Sequence, residues 1–217
     1  MYPILLDMRD RLVVVVGGGR VAARKIAELH KAGAEVVVIS PELHPDIEAL
    51  RGKIEIRQTA YIEGMLVDLI QWDYRIFMVF AATDSREVNA QVFREAKEAL
   101  ILVNSVDDGA KGDFSNMATI RRGDITIAVA TGGASPALAT HLRGLIENLV
   151  GEEFSMLAEW MGKDRVLAKA KLSPEARREL WRSIIESPVL ELLREGEENG
   201  ARGIFDSLVE DAINQDE

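Results

Sequence analysis

The fold of this chain is decided by the stretch Leu12-Val13-Val14-Val15-Val16-Gly17-Gly18-Gly19-Arg20-Val21-Ala22. Its first five residues are apolar and mostly β-branched, which is typical of a strand buried on both faces of a parallel sheet. From Arg20 to Lys31 apolar residues recur at helical spacing, and Gly33 stands where such a helix would end. A second apolar run, 36–39, follows at once. Strand, glycine turn, helix and strand thus fit within the roughly 30 residues of a βαβ unit.

The glycine turn reads as G-x-G-x-x-A between the strand and the helix. Gly17 permits a tight turn, Gly19 lets the backbone approach a pyrophosphate, and Ala22 allows close packing of helix on strand. The helix N-terminus adds free N–H groups and a positive dipole end for phosphates. We predict dinucleotide binding at this turn; the alternative is a purely structural glycine turn.

The end of the second strand bears on the choice of dinucleotide. The acidic residue expected about 20 positions after the glycines, to bind the ribose 2′-hydroxyl, is not in its usual place. Ser40 and Glu42 are the candidates to replace it. No arginine stands there to receive a 2′-phosphate, which favours NAD over NADP. The alternative is that Ser40-Pro41 only ends the strand.

The rest of the chain first continues the alternation and then abandons it. Strands are predicted at 54–57, 76–81 and 99–103, with a helix at 86–98. This pattern indicates an α/β fold with a Rossmann-like, doubly wound parallel sheet over residues 1–112. Near Asp113 the pattern changes, and a strand at 125–130 precedes a helix with Ser135 as N-cap and Pro136 at its first position. Residues 113–150 are therefore expected to form a small α+β segment.

Residues 151–217 carry only helical signals and are expected to form a C-terminal helical domain. Ser173-Pro174 and Ser187-Pro188 are predicted to begin helices, and Asn199-Gly200 to interrupt the chain before a final amphipathic helix.

Polar residues follow the fourth and fifth strands, at the edge where open α/β sheets bind ligands. Thr83-Asp84-Ser85 is either a cofactor contact or a cap for the next helix, and capping is favoured for Asp84 and Ser85. Asn104 comes directly after the fifth strand, and Asp107-Asp108 follow it. These two carboxylates are either a general base or substrate orienter beside the nicotinamide, or a solvated loop.

Bulk composition excludes several classes of function. A formal charge of −10 argues against broad binding to nucleic acids or anionic membranes. The absence of cysteine excludes disulfides, thiolate catalysis, iron–sulfur clusters and cysteine zinc sites. No run of about 18 apolar residues and no basic leader segment occur, so neither export nor a membrane span is predicted. The three histidines are scattered, so no metal site is predicted from them. We expect a cytoplasmic protein.

Taken together, the motifs resemble the precorrin-2 dehydrogenase family, NAD-dependent enzymes of siroheme synthesis that also occur as the first module of siroheme synthases. The resemblance runs from about Tyr2 to Leu149 and is most specific in its later elements. Its motifs are Tyr2-Pro3-Ile4-Leu5-Leu6-Asp7, Val16 to Lys25, Ala81-Ala82-Thr83-Asp84 with Val88-Asn89, Val103-Asn104-Ser105-Val106-Asp107-Asp108, Asp113-Phe114, and Thr131-Gly132-Gly133-Ala134-Ser135-Pro136-Ala137-Leu138-Ala139.

The resemblance implies oxidation of precorrin-2 to sirohydrochlorin, with a hydride passing to NAD and a proton being lost. Asp107 matches the residue credited with catalysis, and Arg20-Val21 and Pro41-Glu42 match positions along the dinucleotide. The resemblance also implies a homodimer in which residues 113–150 exchange with the partner and the C-terminal helices help to cover the substrate. Met117 and Gly109 stand where the family commonly has proline.

The tetrapyrrole carries many carboxylates, so an acidic protein needs local cations to bind it. Lys111, Arg121, Arg122 and Arg143 are the candidates, through charge-assisted hydrogen bonds. The loop at Thr131, Gly132, Gly133 and Ser135 leads into a helix N-terminus suited to carboxylates, although it could be only a well-capped turn. Two other functions stay open: an NAD-sensing module without catalysis, and a tetrapyrrole chelatase that works without NAD and relies on carboxylates such as Asp107.

Overall fold

The computed structural model describes residues 2–71, 75–105 and 112–216. The chain forms two compact units, Met1–Asn116 and Met117–Glu217.

The first unit is an α/β sandwich built on a parallel sheet. In the described residues the strands lie in the order β3-β2-β1-β4-β5, and all neighbours are parallel. This confirms the predicted Rossmann-like fold. The elements are β1 (Leu12–Val16), α1 (Arg20–Lys31), β2 (Glu35–Ile39), α2 (Pro45–Glu48), β3 (Glu55–Arg57), α3 (Met65–Gln71), β4 (Ile76–Ala81), α4 (Arg86–Glu98) and β5 (Leu102–Ser105).

Strand β1 lies at the centre of the sheet, between β2 and β4. Val14 and Val16 belong to the apolar core on one face, whereas Val13 and Val15 belong to the core on the other. All four are at most 1% exposed. This burial confirms the prediction of a strand buried on both faces. A polar residue at any of these four positions would lie in one of the two apolar cores.

Helix α1 covers one face of the sheet with Ala22, Ala23 and Ile26. It ends as predicted: Gly33 adopts φ +82°, a left-handed conformation that favours glycine, and its N–H donates to the carbonyl of His30.

The predicted strand at 99–103 is wrong at both ends, since β5 extends to Ser105 and Asn104, predicted to follow the strand, lies inside it. Strand β5 begins at Leu102, because Ala99 is still the C-cap of α4 and Leu100 has φ +58°, which no strand residue adopts. The short helices α2 and α3 were not predicted from the sequence.

The second unit begins with a β-hairpin and continues in helices. Its elements are β6 (Ala118–Arg122), β7 (Ile125–Val129), α5 (Pro136–Leu149), α6 (Glu152–Lys171), α7 (Pro174–Glu186), α8 (Val189–Glu195) and α9 (Glu198–Asp216). Strands β6 and β7 are antiparallel, with Ile120 opposite Ile127. The sequence did not predict β6, because only Ile120 of its residues is buried and the strand lacks an apolar run.

Helices α5, α7 and α8 begin at the predicted serine–proline signals. Ser135 and Ser173 cap α5 and α7 by accepting from the N–H groups of Leu138 and Ala176, and α8 begins directly after Pro188. Asn199-Gly200, in contrast, does not interrupt the chain. Both residues lie inside α9, and the break falls earlier, at Gly196 with φ +83°.

Helices α6 to α9 share one apolar core. Trp160 of α6 packs edge-on against Phe205 of α9, with ring centres 5.6 Å apart. Burial of Ala201, Phe205 and Val209 keeps α9 helical despite its glycines. No helix in the described ranges is long and apolar enough to cross a membrane.

Candidate cofactor-binding and substrate-binding sites

The glycine turn joins β1 to α1 and packs tightly against two neighbouring strand ends. Gly17 has φ +124°, and a Cβ atom there would lie 2.3 Å from the carbonyl oxygen of Ala82. A Cβ atom on Gly18 would lie 2.0 Å from the carbonyl oxygen of Glu42. The turn is therefore held down on the carboxyl edge of the sheet, and only glycine fits at these two positions.

Gly19 has open space around it instead. A Cβ atom on it would meet nothing within 4 Å, so the backbone there is open to a ligand. Gly19 is the N-cap of α1, gives no side-chain cap, and the first turn of the helix contains no acidic residue. The first N–H groups of α1 are consequently left to a ligand, and Arg20 and Val21 beside them are exposed. This cradle fits the pyrophosphate of a dinucleotide.

In the segment after β2, Ser40 and Glu42, the two candidates for the ribose contact, have different surroundings. Ser40 is buried, and its hydroxyl donates to the carbonyl oxygen of Glu42 at 2.7 Å. The side chains of Pro41 and Glu42 are exposed. Ser40 therefore shapes the turn, and the Glu42 carboxylate is the acidic group presented at this edge.

The segment after β4 is held by a side-chain clasp. Thr83 Oγ1 donates to Asn89 Oδ1 at 2.8 Å, and Asn89 Nδ2 donates to the Thr83 carbonyl at 3.0 Å. Ser85 caps α4 by accepting from Val88 N–H at 3.3 Å, as predicted. The Thr83 hydroxyl is thus engaged in positioning its own loop, and this loop also carries Ala82, which supports Gly17.

The segment after β5 returns to the sheet at Asp113. The Asp113 carboxylate accepts from Lys97 Nζ at 2.5 Å and from Val103 N–H at 3.1 Å. The Lys97 ammonium, with a smaller contribution from the Val103 amide, holds the pKa of Asp113 below its usual range. Asn104 is buried and donates from Nδ2 to the Phe114 carbonyl at 2.8 Å. Asp107, Asp108 and Lys111 lie outside the described residues.

Lys25 is a buried polar residue of this unit for which no role was predicted from the sequence. It is 7% exposed, and its ammonium lies 4.8 Å from the centre of the Phe80 ring. Burial, followed by repulsion from Arg24, lowers its pKa. The Phe80 ring in turn meets Phe114 edge-on at 5.3 Å. A lysine on the apolar face of an amphipathic helix was the signal that could have identified it.

In the second unit, the loop before α5 is a self-contained capped turn. Thr131 Oγ1 donates to the carbonyl of Ser135 at 3.0 Å and accepts from its N–H at 3.2 Å. Gly132 and Gly133 both have positive φ, and a Cβ atom on either would meet nothing within 4 Å. The loop therefore leaves backbone accessible at the N-terminus of a 14-residue helix.

The arginines of the second unit that were predicted to bind substrate differ in their surroundings, and the hairpin register places Arg121 and Arg122 at the end of the hairpin away from this loop. Arg143 donates from Nη1 to Glu147 Oε2 at 2.9 Å. Arg122 is 3.7 Å from Glu147 and 3.4 Å from Glu152, and its buried Nε lacks a hydrogen-bond partner in the described part of the chain. Arg121 is exposed and forms no ion pair with any residue in the described part of the chain. Within the described ranges, no three histidine or carboxylate side chains are placed to hold a metal ion.

Three family models match the chain in succession. The model described as "Putative NAD(P)-binding" matches residues 4–118, the sirohaem biosynthesis protein central model matches 122–149, and the sirohaem synthase dimerisation region matches 153–209. The last match covers helices that contain none of the motifs on which the family resemblance rests.

Curated relatives that match most of the chain are siroheme synthases. It is 35% identical over 211 residues to the siroheme synthase of Nitrosococcus oceani, which covers 96% of this chain and 44% of the relative. It is 38% identical over 195 residues to the siroheme synthase of Acinetobacter baylyi, covering 88% of this chain and 41% of the relative. The chain thus spans less than half the length of these curated relatives.

A solved structure matches along nearly the whole chain. The structure of SirC, a precorrin-2 dehydrogenase, superposes with a TM-score of 0.78 at 25% identity, covering 97% of this chain and 100% of SirC.

Proposed function

Because the chain belongs to the precorrin-2 dehydrogenase and siroheme synthase family, we propose that it oxidises precorrin-2 to sirohydrochlorin with NAD as the hydride acceptor. The reaction removes two hydrogens from the tetrapyrrole, one as a hydride and one as a proton.

The observation that carries this proposal is the open cradle at Gly19. Two glycines are held so tightly that no side chain fits, whereas the third faces empty space at an uncapped helix N-terminus. The open position at Gly19 gives no packing benefit to the chain itself and suits a bound pyrophosphate. When bound, NAD supplies the hydride acceptor.

The protein's own residues have positioning and proton-transfer roles in this proposal. The Gly17–Gly19 turn with Arg20 and Val21 holds the pyrophosphate, and Glu42 presents its carboxylate to the adenosine ribose. The Thr83 loop and Asn104, near the end of β5, form the adjoining edge of the sheet and are fixed by the Asn89 and Phe114 contacts. Asp107 follows Asn104 by three residues and accepts the proton or orients the substrate.

We assign substrate carboxylates to the cations and the capped loop of residues 111–143. Arg121 is exposed and carries no described ion pair, which leaves its guanidinium available for a bidentate carboxylate bond. Lys111 and Arg143 are the further cations, Arg143 exchanging its Glu147 contact. Thr131, Gly132, Gly133 and Ser135 offer backbone groups at the start of α5.

We also propose that the protein acts as a homodimer in the cytoplasm. The support for the dimer is the match to a dimerisation region together with an apolar stripe on α5: Leu138, Leu142, Leu145 and Leu149 are all at least 36% exposed and recur every three or four residues. The support for the cytoplasm is the use of NAD and the absence of cysteine.

The test is an anaerobic assay of the purified protein with enzymatically generated precorrin-2 and NAD. NADH and sirohydrochlorin should appear in equal amounts. An Asp107→Ala variant should bind NAD normally but turn over at least about 100-fold more slowly, the usual range for loss of a general base. Metal insertion without any NAD-dependent oxidation would instead favour a chelatase. NAD binding with neither reaction would favour a sensor.

A further inference from the structure

A groove of about 570 Å³ runs between α6 and α7, within the second unit. We call it the α6–α7 groove. Its lining includes three cations, Arg165 and Lys169 of α6 and Arg177 of α7, together with the apolar side chains of Met161 and Trp181. Arg165 and Lys169 are one helical turn apart, so both stand on the same side of α6. The groove therefore combines cationic groups with apolar and aromatic ones in one lining.

The three cations are not neutralised by their surroundings. Across the described part of the chain, no ion pair is found for Arg165, Lys169 or Arg177. Acidic residues of the same helices pair with other cations: Glu159 with Lys163, Glu175 with Arg178, and Glu179 with Arg182. In a protein of net charge −10, this leaves a local concentration of positive charge facing a concave surface.

Gly162 provides an independent indication that the groove is used. It lines the groove in the interior of α6, and a Cβ atom on it would meet nothing within 4 Å. Glycine is less favourable than alanine in a helix interior, and no neighbouring group in the described chain requires its absence of a side chain. The missing side chain leaves the helix backbone open to a molecule lying in the groove.

We propose that the α6–α7 groove binds a conjugated polycarboxylate, with Arg165, Lys169 and Arg177 holding carboxylates and the Trp181 indole lying against the conjugated rings. The volume is in the usual range for small-molecule sites. Cations bind carboxylates through charge-assisted hydrogen bonds, and indole offers a flat apolar face. The choice of a tetrapyrrole within this class rests on the proposed function, since its substrate and product are polycarboxylate tetrapyrroles.

The test uses uroporphyrin, a tetrapyrrole rich in carboxylates, without NAD. Binding is followed by quenching of tryptophan fluorescence and by equilibrium dialysis. The triple variant Arg165→Gln/Lys169→Gln/Arg177→Gln should raise the Kd at least about tenfold, since it removes charge-assisted bonds. The matched control Lys163→Gln/Arg178→Gln/Arg182→Gln removes the same charge from the same helices outside the groove lining, and its Kd should change less than about threefold.

A second variant, Gly162→Leu, tests the space rather than the charge. The leucine side chain fills the open space beside Gly162 and should raise the Kd for uroporphyrin by a similar factor. The thermal midpoint of unfolding should stay the same or increase. Absence of saturable uroporphyrin binding to the wild type, or equal losses in the two triple variants, would overturn the proposal. A change of oligomeric state confined to the groove variant, with no porphyrin binding, would show that a second copy of the chain occupies the groove.

Failure here is distinguishable from failure of the dehydrogenase. NADH formation from precorrin-2 is measured separately, so a dehydrogenase without porphyrin binding to the groove refutes only the groove, and a porphyrin-binding protein without NADH formation refutes only the reaction.

Discussion

The backbone of Gly17 approaches the carbonyl of Ala82 so closely that a Cβ atom on Gly17 would lie 2.3 Å from the Ala82 oxygen. Ala82 follows β4 directly and donates its N–H to the carbonyl of Val16 at 2.8 Å. The first glycine of the turn is therefore part of the packing between β1 and β4. Its requirement is structural, in contrast to that of Gly19, which packs against nothing.

This contrast predicts different outcomes for two alanine variants. Gly17→Ala should lower the free energy of unfolding by at least about 2 kcal/mol, because the new methyl meets the Ala82 carbonyl and φ is +124°. Gly19→Ala should fold with nearly wild-type stability, since its φ is −78° and the space is open. Its Kd for NAD should nevertheless rise at least about tenfold, because the methyl occupies the pyrophosphate approach.

The two quantities are measured separately, by chemical denaturation without NAD and by calorimetric titration with NAD. An unchanged NAD affinity in a well-folded Gly19→Ala protein would contradict the assignment of the cradle to a pyrophosphate.

Features that depend on local sequence could be predicted, whereas features that depend on tertiary packing could not. The turn and β1 were predicted because their signals are local: an apolar run buried on both faces and glycines at fixed spacing. Strand β6 was missed, since its stability comes from pairing with β7 and its residues are mostly exposed. The contact of Lys25 with Phe80 could not be predicted either, because Phe80 comes from a strand more than 50 positions away. The α6–α7 groove likewise exists only once two helices pack.

A second prediction concerns the acid sensitivity of the first unit. Asp113 is held by Lys97 and the Val103 amide, and its pKa is below the ordinary 3.8. A carboxyl group with a depressed folded-state pKa contributes stability above its unfolded pKa and loses it as the pH falls through the folded value. Asp113→Asn should therefore cost about 1 kcal/mol at pH 7, a modest figure because Lys97 is 48% exposed and solvent screens the pair.

The measurement is the difference in unfolding free energy between wild type and variant as a function of pH. It should be constant above about pH 5 and shrink below the ordinary pKa of 3.8. Glu63→Gln, at an exposed position of the same unit, serves as the control and should show a difference near zero throughout. A difference for Asp113→Asn that does not change between neutral and acid pH would exclude this linkage.

A third prediction addresses the choice between NAD and NADP. The Glu42 carboxylate is exposed after β2, where an acidic group opposes a 2′-phosphate. Glu42→Arg removes this repulsion and adds a cation, so the ratio of kcat/KM for NADP to that for NAD should rise at least about tenfold. Glu35→Arg makes the same charge change at the exposed start of β2, the opposite end of the strand.

Kinetics with both dinucleotides separate these variants. A rise of similar size in Glu35→Arg would mean that the effect comes from net charge, and the assignment of Glu42 to the ribose would then be abandoned.

The last prediction concerns the apolar stripe of α5. Leu142 and Leu145 lie on one side of the helix and are 36% and 51% exposed, and in the proposed dimer they pack against a second copy. Leu142→Asp should weaken self-association at least about tenfold, because it would bury an unpaired carboxylate in the interface. Thr140→Asp introduces the same charge on the opposite side of the same helix, at an exposed position, and should leave association unchanged.

Analytical ultracentrifugation over a range of concentrations measures the dimer dissociation constants of both variants. If both variants dimerise like the wild type, the α5 stripe is not the interface, and the match to a dimerisation region over 153–209 then directs the search to α6–α9.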